Sequence, residues 1–221
     1  METVVRYLLT VPAALITIML HELAHGVTAY KLGDPTARAM GRLTLNPLKH
    51  LDVLGAVCMV LFRFGWAKPV PVNPRYFKDP KRGMALTALA GPLANILLAF
   101  LTLPFVLWTR NGLISVLLSG GGESFLSGFL EMLWTFLSIF HYLNLGLALF
   151  NLIPLPPLDG SRILFAFLPE RAYFSVMRYE RYISLALILF LFLGANFGFL
   201  DTLADAISGV MVSVWRLLPI F

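Results

Sequence analysis

Apolar residues in this sequence gather into long blocks, without the alternation of a half-buried strand or the single stripe of a surface helix. A hydrocarbon layer about 30 Å thick takes about 20 helical residues to cross, and several blocks reach that length. Val4 to about Tyr30 predicts a first spanning helix, kinked at Pro12 and carrying a polar cluster near its far end. Gly83 to Trp108 predicts the next span and Phe125 to Ile153 the third. Tyr182 to Leu193 and Phe199 to Leu218 predict two more, closed into a hairpin by Gly194-Ala195-Asn196-Phe197-Gly198. Val53 to Phe64 is apolar but about half the length a crossing needs, which suits a re-entrant or buried segment. Ala37 to Asn46 has residues suited to a short strand or hairpin, and Pro69, Pro71 and Pro74 keep the later stretch extended. The expected fold is an all-α polytopic membrane protein of about five transmembrane helices, with a short membrane-associated β or re-entrant region. It forms one domain over residues 1–221, with a core over about 4–168 and a C-terminal helical hairpin over about 180–218.

Composition agrees with that class: 58% of residues are hydrophobic, 13% are charged, and mean hydropathy is +0.80. The first apolar block reaches His21 without a small-residue cleavage site, so it is expected to be retained as a helix. The net charge of +5 does not point to nucleic acid, because the basic residues are confined to loops between apolar blocks. Lys31 through Arg82 holds ten Lys and Arg, Arg162 to Arg181 holds four, and the loop around Arg110 to Ser124 holds one. The two basic regions are therefore expected on the cytoplasmic side. Five crossings then put the N-terminus outside the cytoplasm and the C-terminus, with Arg216, inside. Cys58 is the sole cysteine, which excludes an internal disulfide and a thiolate metal cluster.

His21-Glu22-Leu23-Ala24-His25 sets two imidazoles one helical turn apart, so both reach a single ion on one face. Imidazole suits zinc, and two histidines with one carboxylate leave a position open for water, the arrangement of a hydrolytic zinc site. Glu22 stands beside them as a general base. Ionisable groups within an apolar span generally line a cavity or a functional path. For the third ligand, depth is the filter. Asp201 and Asp205 open the last span on the opposite face, and His50 and Asp52 lie in a polar loop. Asp159 follows Pro154, Pro156 and Pro157, which must open the helix near the cytoplasmic face. Its local alternative is an N-cap for Ser161 to Leu168. His141, in mid-span, is the competing ligand, although a lone histidine there is more often a hydrogen-bonded structural residue. Asn95 matches the depth of His21, and Asn95 or Asn151 could donate to a scissile carbonyl or its oxyanion, the alternative being interhelical packing. Asn144 is assigned to packing.

These residues resemble the site-two protease family of intramembrane metalloproteases. The likeness runs through His21 to Gly26, Leu45 to Asp52, Gly65 to Pro74, Ala90 to Asn95 and Asn151 to Gly160, ordered along most of residues 13 to 165. It implies one zinc ion held by His21, His25 and Asp159, Glu22 as catalytic base, and cleavage of a partly unwound transmembrane helix. It also implies a three-helix core with a membrane-associated strand region at Ala37 to Asn46, whose edge could pair with an extended substrate. Many relatives add a PDZ or CBS domain, for which this length has no room. Two other classes are a zinc transporter, against which the lack of duplicated halves argues, and a non-catalytic relative that binds membrane helices. The expected partners are a transmembrane substrate and the lipid bilayer, with no nucleic acid.

Overall fold

Long apolar runs become long helices because the backbone's polar groups need internal partners wherever water is excluded. A computed structural model describes residues 2–62, 67–122, 124–193 and 198–217. Its helices, in chain order, are α1 (Glu2–Lys31), α2 (Thr36–Ala39), α3 (Val53–Phe62), α4 (Pro80–Leu118), α5 (Phe125–Asn151), α6 (Asp159–Phe167), α7 (Glu170–Phe192) and α8 (Gly198–Arg216).

Local chemistry sets several boundaries. Asp79 caps α4, its Oδ1 accepting from the Arg82 amide at 3.1 Å, and Pro80 fills the first turn, where a missing N–H does no harm. Ser124 caps α5 in the same way, accepting from the Ser127 amide at 3.2 Å. α4 runs on past Trp108, the expected end, to Leu118. No proline interrupts Thr109 to Leu118, and the apolar residues resume at Leu113 after Arg110 and Asn111.

Among the described residues, α1, α4, α5 and α8 are long and apolar enough to cross a membrane. Outside the contacts between them, their surface is apolar: Leu93, Leu97, Leu101, Phe105 and Trp108 form an exposed stripe along α4 at helical spacing. Such a stripe suits lipid and not water. α4, α5 and α8 join around a core of Ala99, Leu103, Leu145, Leu149, Ala204 and Met211. His141 ties the three together, with Nδ1 at 2.9 Å from the Ala99 carbonyl and Nε2 at 2.9 Å from the Ser208 hydroxyl. It has the structural role that a lone mid-span histidine suggests.

Two expectations differ from what the described residues show. Among them, four helices meet the length and hydropathy of a span, where about five were expected. Tyr182 to Leu193 is the apolar end of α7, whose opening half carries Glu170, Arg171, Arg178, Glu180 and Arg181. The expected hairpin link at 194–197 lies outside the described residues, as do residues 63–66. The second change concerns Ala37 to Asn46, which contains α2 and turns, with no strand among the described residues. Gly41, at φ 63°, ends α2 in a left-handed cap: its amide donates to the Arg38 carbonyl, and the Arg42 amide to the Ala37 carbonyl, each at 2.9 Å. That cap turns the chain before a ladder can form. Among the described residues, extended pairing is limited to an antiparallel bridge between Leu51 and Ala67, beside which the Lys68 amide donates to the His50 carbonyl at 2.9 Å.

Candidate metal centre

His21 and His25 project from one face of α1 toward α4, their rings edge to face with centroids 4.6 Å apart. Gly91 makes room for them: a Cβ there would come within 2.5 Å of the His25 ring and 2.6 Å of the His21 ring. Pro92, next along α4, lacks the N–H of a regular turn. Beside that turn the Thr87 carbonyl lies 2.7 Å from His25 Nδ1. On the other ring, His21 Nδ1 lies 2.5 Å from Asn95 Oδ1. Both histidines are buried, and both direct Nε2 toward the same point.

Asp159 meets them there. After the prolines and a cis Pro156–Pro157 bond, α6 begins at Asp159 itself. Leu158 occupies the N-cap position and makes no side-chain cap, so Asp159 is not spent as an N-cap. Its Oδ2 lies 3.0 Å from His21 Nε2 and 3.2 Å from His25 Nε2. Gly160 permits the approach, since a Cβ there would collide with the Leu152 and Ile153 carbonyls. Ligand atoms of His21, His25 and Asp159 all lie within 4.8 Å of one another. Two imidazole nitrogens and a carboxylate oxygen, with both Nδ1 atoms already matched to acceptors, suit a zinc ion with a further position open.

Glu22 sits between the two ligands in sequence, and its Oε2 accepts the Val70 amide at 2.7 Å. The sequence reading did not foresee that contact, although Pro69 and Pro71 leave Val70 as the single amide donor of the triplet. Asn95 is fully buried. Its oxygen faces His21, and its Nδ2 donates to Asn144 Oδ1 at 2.6 Å. It thus touches a candidate ligand with its acceptor, and its donor is engaged by Asn144. Asn151 is not drawn to the cluster; its Nδ2 donates to the Leu147 carbonyl one turn back, at 3.0 Å. Asp201, Asp205, His50 and Asp52 form no metal-competent group among the described residues.

Four membrane-length helices and a buried site of two histidines and a carboxylate define an integral-membrane protein with a candidate metal centre. The family model described as peptidase family M50 matches residues 10–194, and the chain belongs to that family, the site-two proteases it resembles in sequence. YwhC of Bacillus subtilis, named as a candidate zinc metalloprotease, is 44% identical over 168 residues, covering 76% of this chain and 73% of its own. Rip2 of Mycolicibacterium smegmatis, also named as a candidate zinc metalloprotease, is 29% identical over 70% of this chain and 55% of its own. A third relative so named, MJ0611 of Methanocaldococcus jannaschii, is 30% identical over 65% of this chain and 62% of its own. No solved structure matches the chain.

Proposed function

We propose that this protein is an intramembrane zinc metalloendopeptidase that hydrolyses peptide bonds in or beside transmembrane segments of other membrane proteins. The observation that carries the reading is the convergence of His21 Nε2 and His25 Nε2 on Asp159 Oδ2, at 3.0 and 3.2 Å, from two helices far apart in the chain. His21, His25 and Asp159 would hold the ion, and zinc is the metal that M50 enzymes use. Zinc bound there supplies a Lewis acid for the peptide carbonyl and lowers the pKa of water toward about 7.

Glu22 moves the proton. Val70 holds its Oε2, leaving Oε1 to accept a proton from the attacking water and return it to the departing amide nitrogen. Asn151, half-buried at the end of α5, is the side-chain donor we assign to a substrate carbonyl, reached by turning away from Leu147. The basic stretches 31–82 and 162–181 support a site toward the cytoplasmic face. The N-terminus of α1 then lies outside the cytoplasm. With α7 as a complete fifth crossing, the C-terminus returns to the cytoplasm.

Glu22→Gln tests the chemistry. The variant keeps its zinc, measured by metal analysis of the purified protein, and loses cleavage of a panel of single-span substrates by at least about 100-fold. His21→Ala and Asp159→Ala lose both zinc and cleavage. Cleavage by Glu22→Gln at the parental rate removes Glu22 as the base, and uptake of zinc into proteoliposomes independent of Glu22 favours transport instead.

A further inference from the structure

A histidine on a metal has two nitrogens, and the atom opposite the ion decides which of them carries the proton. For His25 the matter is closed locally: the Thr87 carbonyl can only accept, so Nδ1 carries the proton and Nε2 is the free donor to metal. For His21 the partner is Asn95, whose amide could present either its oxygen or its nitrogen. The answer lies two side chains away. Asn144 Nδ2 lies 2.8 Å from the Phe140 carbonyl and 3.1 Å from Thr17 Oγ1. A carbonyl cannot donate, so the Phe140 contact sets the nitrogen of Asn144 on that side and leaves its oxygen facing Asn95. Asn95 must then turn its own Nδ2 toward Asn144 Oδ1, at 2.6 Å. The Thr17 carbonyl, 3.5 Å from the same Nδ2, favours that orientation too. Only Asn95 Oδ1 is left for His21, and Nδ1 must donate to it.

We propose that Asn95 and Asn144 form a positioning relay that holds His21 with its proton on Nδ1 and presents Nε2 to the metal. The proposal rests on the metal-site reading above. It gives a chemical task to two asparagines that are both completely buried. In an apolar interior, such amides persist when each of their groups has a partner, and here Thr17 on α1, Asn95 on α4 and Asn144 on α5 supply one another. One chain of hydrogen bonds thereby joins the three central helices and ends on a ligand.

The test is zinc affinity, measured by chelator competition on the purified full chain, with no reference to cleavage. Asn95→Leu removes the acceptor at Nδ1, and Asn144→Leu releases Asn95 to turn over; each weakens zinc binding about 10- to 100-fold. Asn144→Asp in its neutral acid form, which an apolar interior favours, keeps an oxygen for Asn95 Nδ2 while its hydroxyl donates to the Phe140 carbonyl in place of Nδ2, and stays within about threefold of the parent. Cobalt in place of zinc gives a second readout: the visible band changes in the two leucine variants and is kept in Asn144→Asp. A role in packing alone predicts the opposite order, with leucine tolerated and aspartate damaging. Equal zinc affinity in parent and leucine variants, or an Asn144→Asp protein as weak as Asn144→Leu, overturns the relay while leaving the metal site intact. A parent protein that binds no zinc overturns both.

Discussion

A Cβ added to Gly91 would lie 2.5 Å from both Cε1 and Nε2 of His25 and 2.6 Å from Cε1 of His21. Separations that short force something to move, and the movable groups are the two imidazoles. The absent methyl is therefore part of the site's shape, since a ring shifted by a few tenths of an ångström no longer points Nε2 at the shared position. In Gly91→Ala, zinc affinity should fall by about tenfold or more. The fold should survive, because alanine in a helix interior is favoured over glycine by about 1 kcal/mol. Zinc titration beside a thermal melt checks both, and parental zinc affinity would mean the rings have room to retreat. At this scale the sequence was partly legible. His21 and His25 could be paired because i, i+4 geometry is a property of one helix. Their Nδ1 partners could not be paired, since Asn95 is 74 positions from His21 and Thr87 is 62 from His25.

The stretch from Ala67 to Asn73 reads in sequence only as extended, because prolines at 69 and 71 exclude helix and ladder alike. Folded, it is a strap laid against α1. The Lys68 carbonyl accepts from Arg42 at 2.6 Å, the Val70 amide donates to Glu22 at 2.7 Å, and the Asn73 amide donates to Asp34 at 2.7 Å. Val70 itself is buried, near Gly26 on α1. The prolines thus leave one amide between them, and the fold turns it on the proposed base. Val70→Pro deletes that donor and should slow cleavage by about tenfold or more, the loss of a hydrogen bond to a charged group. Zinc content should remain parental. Val70→Ala keeps the amide and should cleave within a few-fold of the parent, so equal rates in the two variants would deny the amide a role. The same limit on local reading explains α2: the Asp34-Pro35-Thr36 start and the Gly41 cap compete with strand formation over residues that looked suited to a hairpin.

Asp34 shows the same strap from the side of the whole molecule. Its carboxylate is fully buried and joins the end of α1 to the segment before α4, accepting the Thr36 amide at 2.9 Å, the Thr36 hydroxyl at 2.5 Å and the Asn73 amide at 2.7 Å. Burial pushes its pKa up, but those hydrogen bonds outweigh burial and hold the carboxyl below the usual carboxylate range. A depressed folded-state pKa adds stability above the unfolded value of about 3.9. That stability drains away as pH falls from there through the folded value. Thermal melts should show the parent losing stability below about pH 4. Asp34→Asn should melt lower at neutral pH and respond less to acid in that window; an unchanged acid response would remove Asp34 from the balance. By itself the sequence determined the helical membrane class and the one-face spacing of the histidine pair, because span length, composition and helical period are short-range properties of the chain. Depth along the chain also pointed to Asp159 as their partner, but tertiary structure decided how closely it meets both imidazoles, which nitrogens face inward, and what holds Glu22. Those facts depend on contacts across as many as 138 positions, which no local pattern encodes.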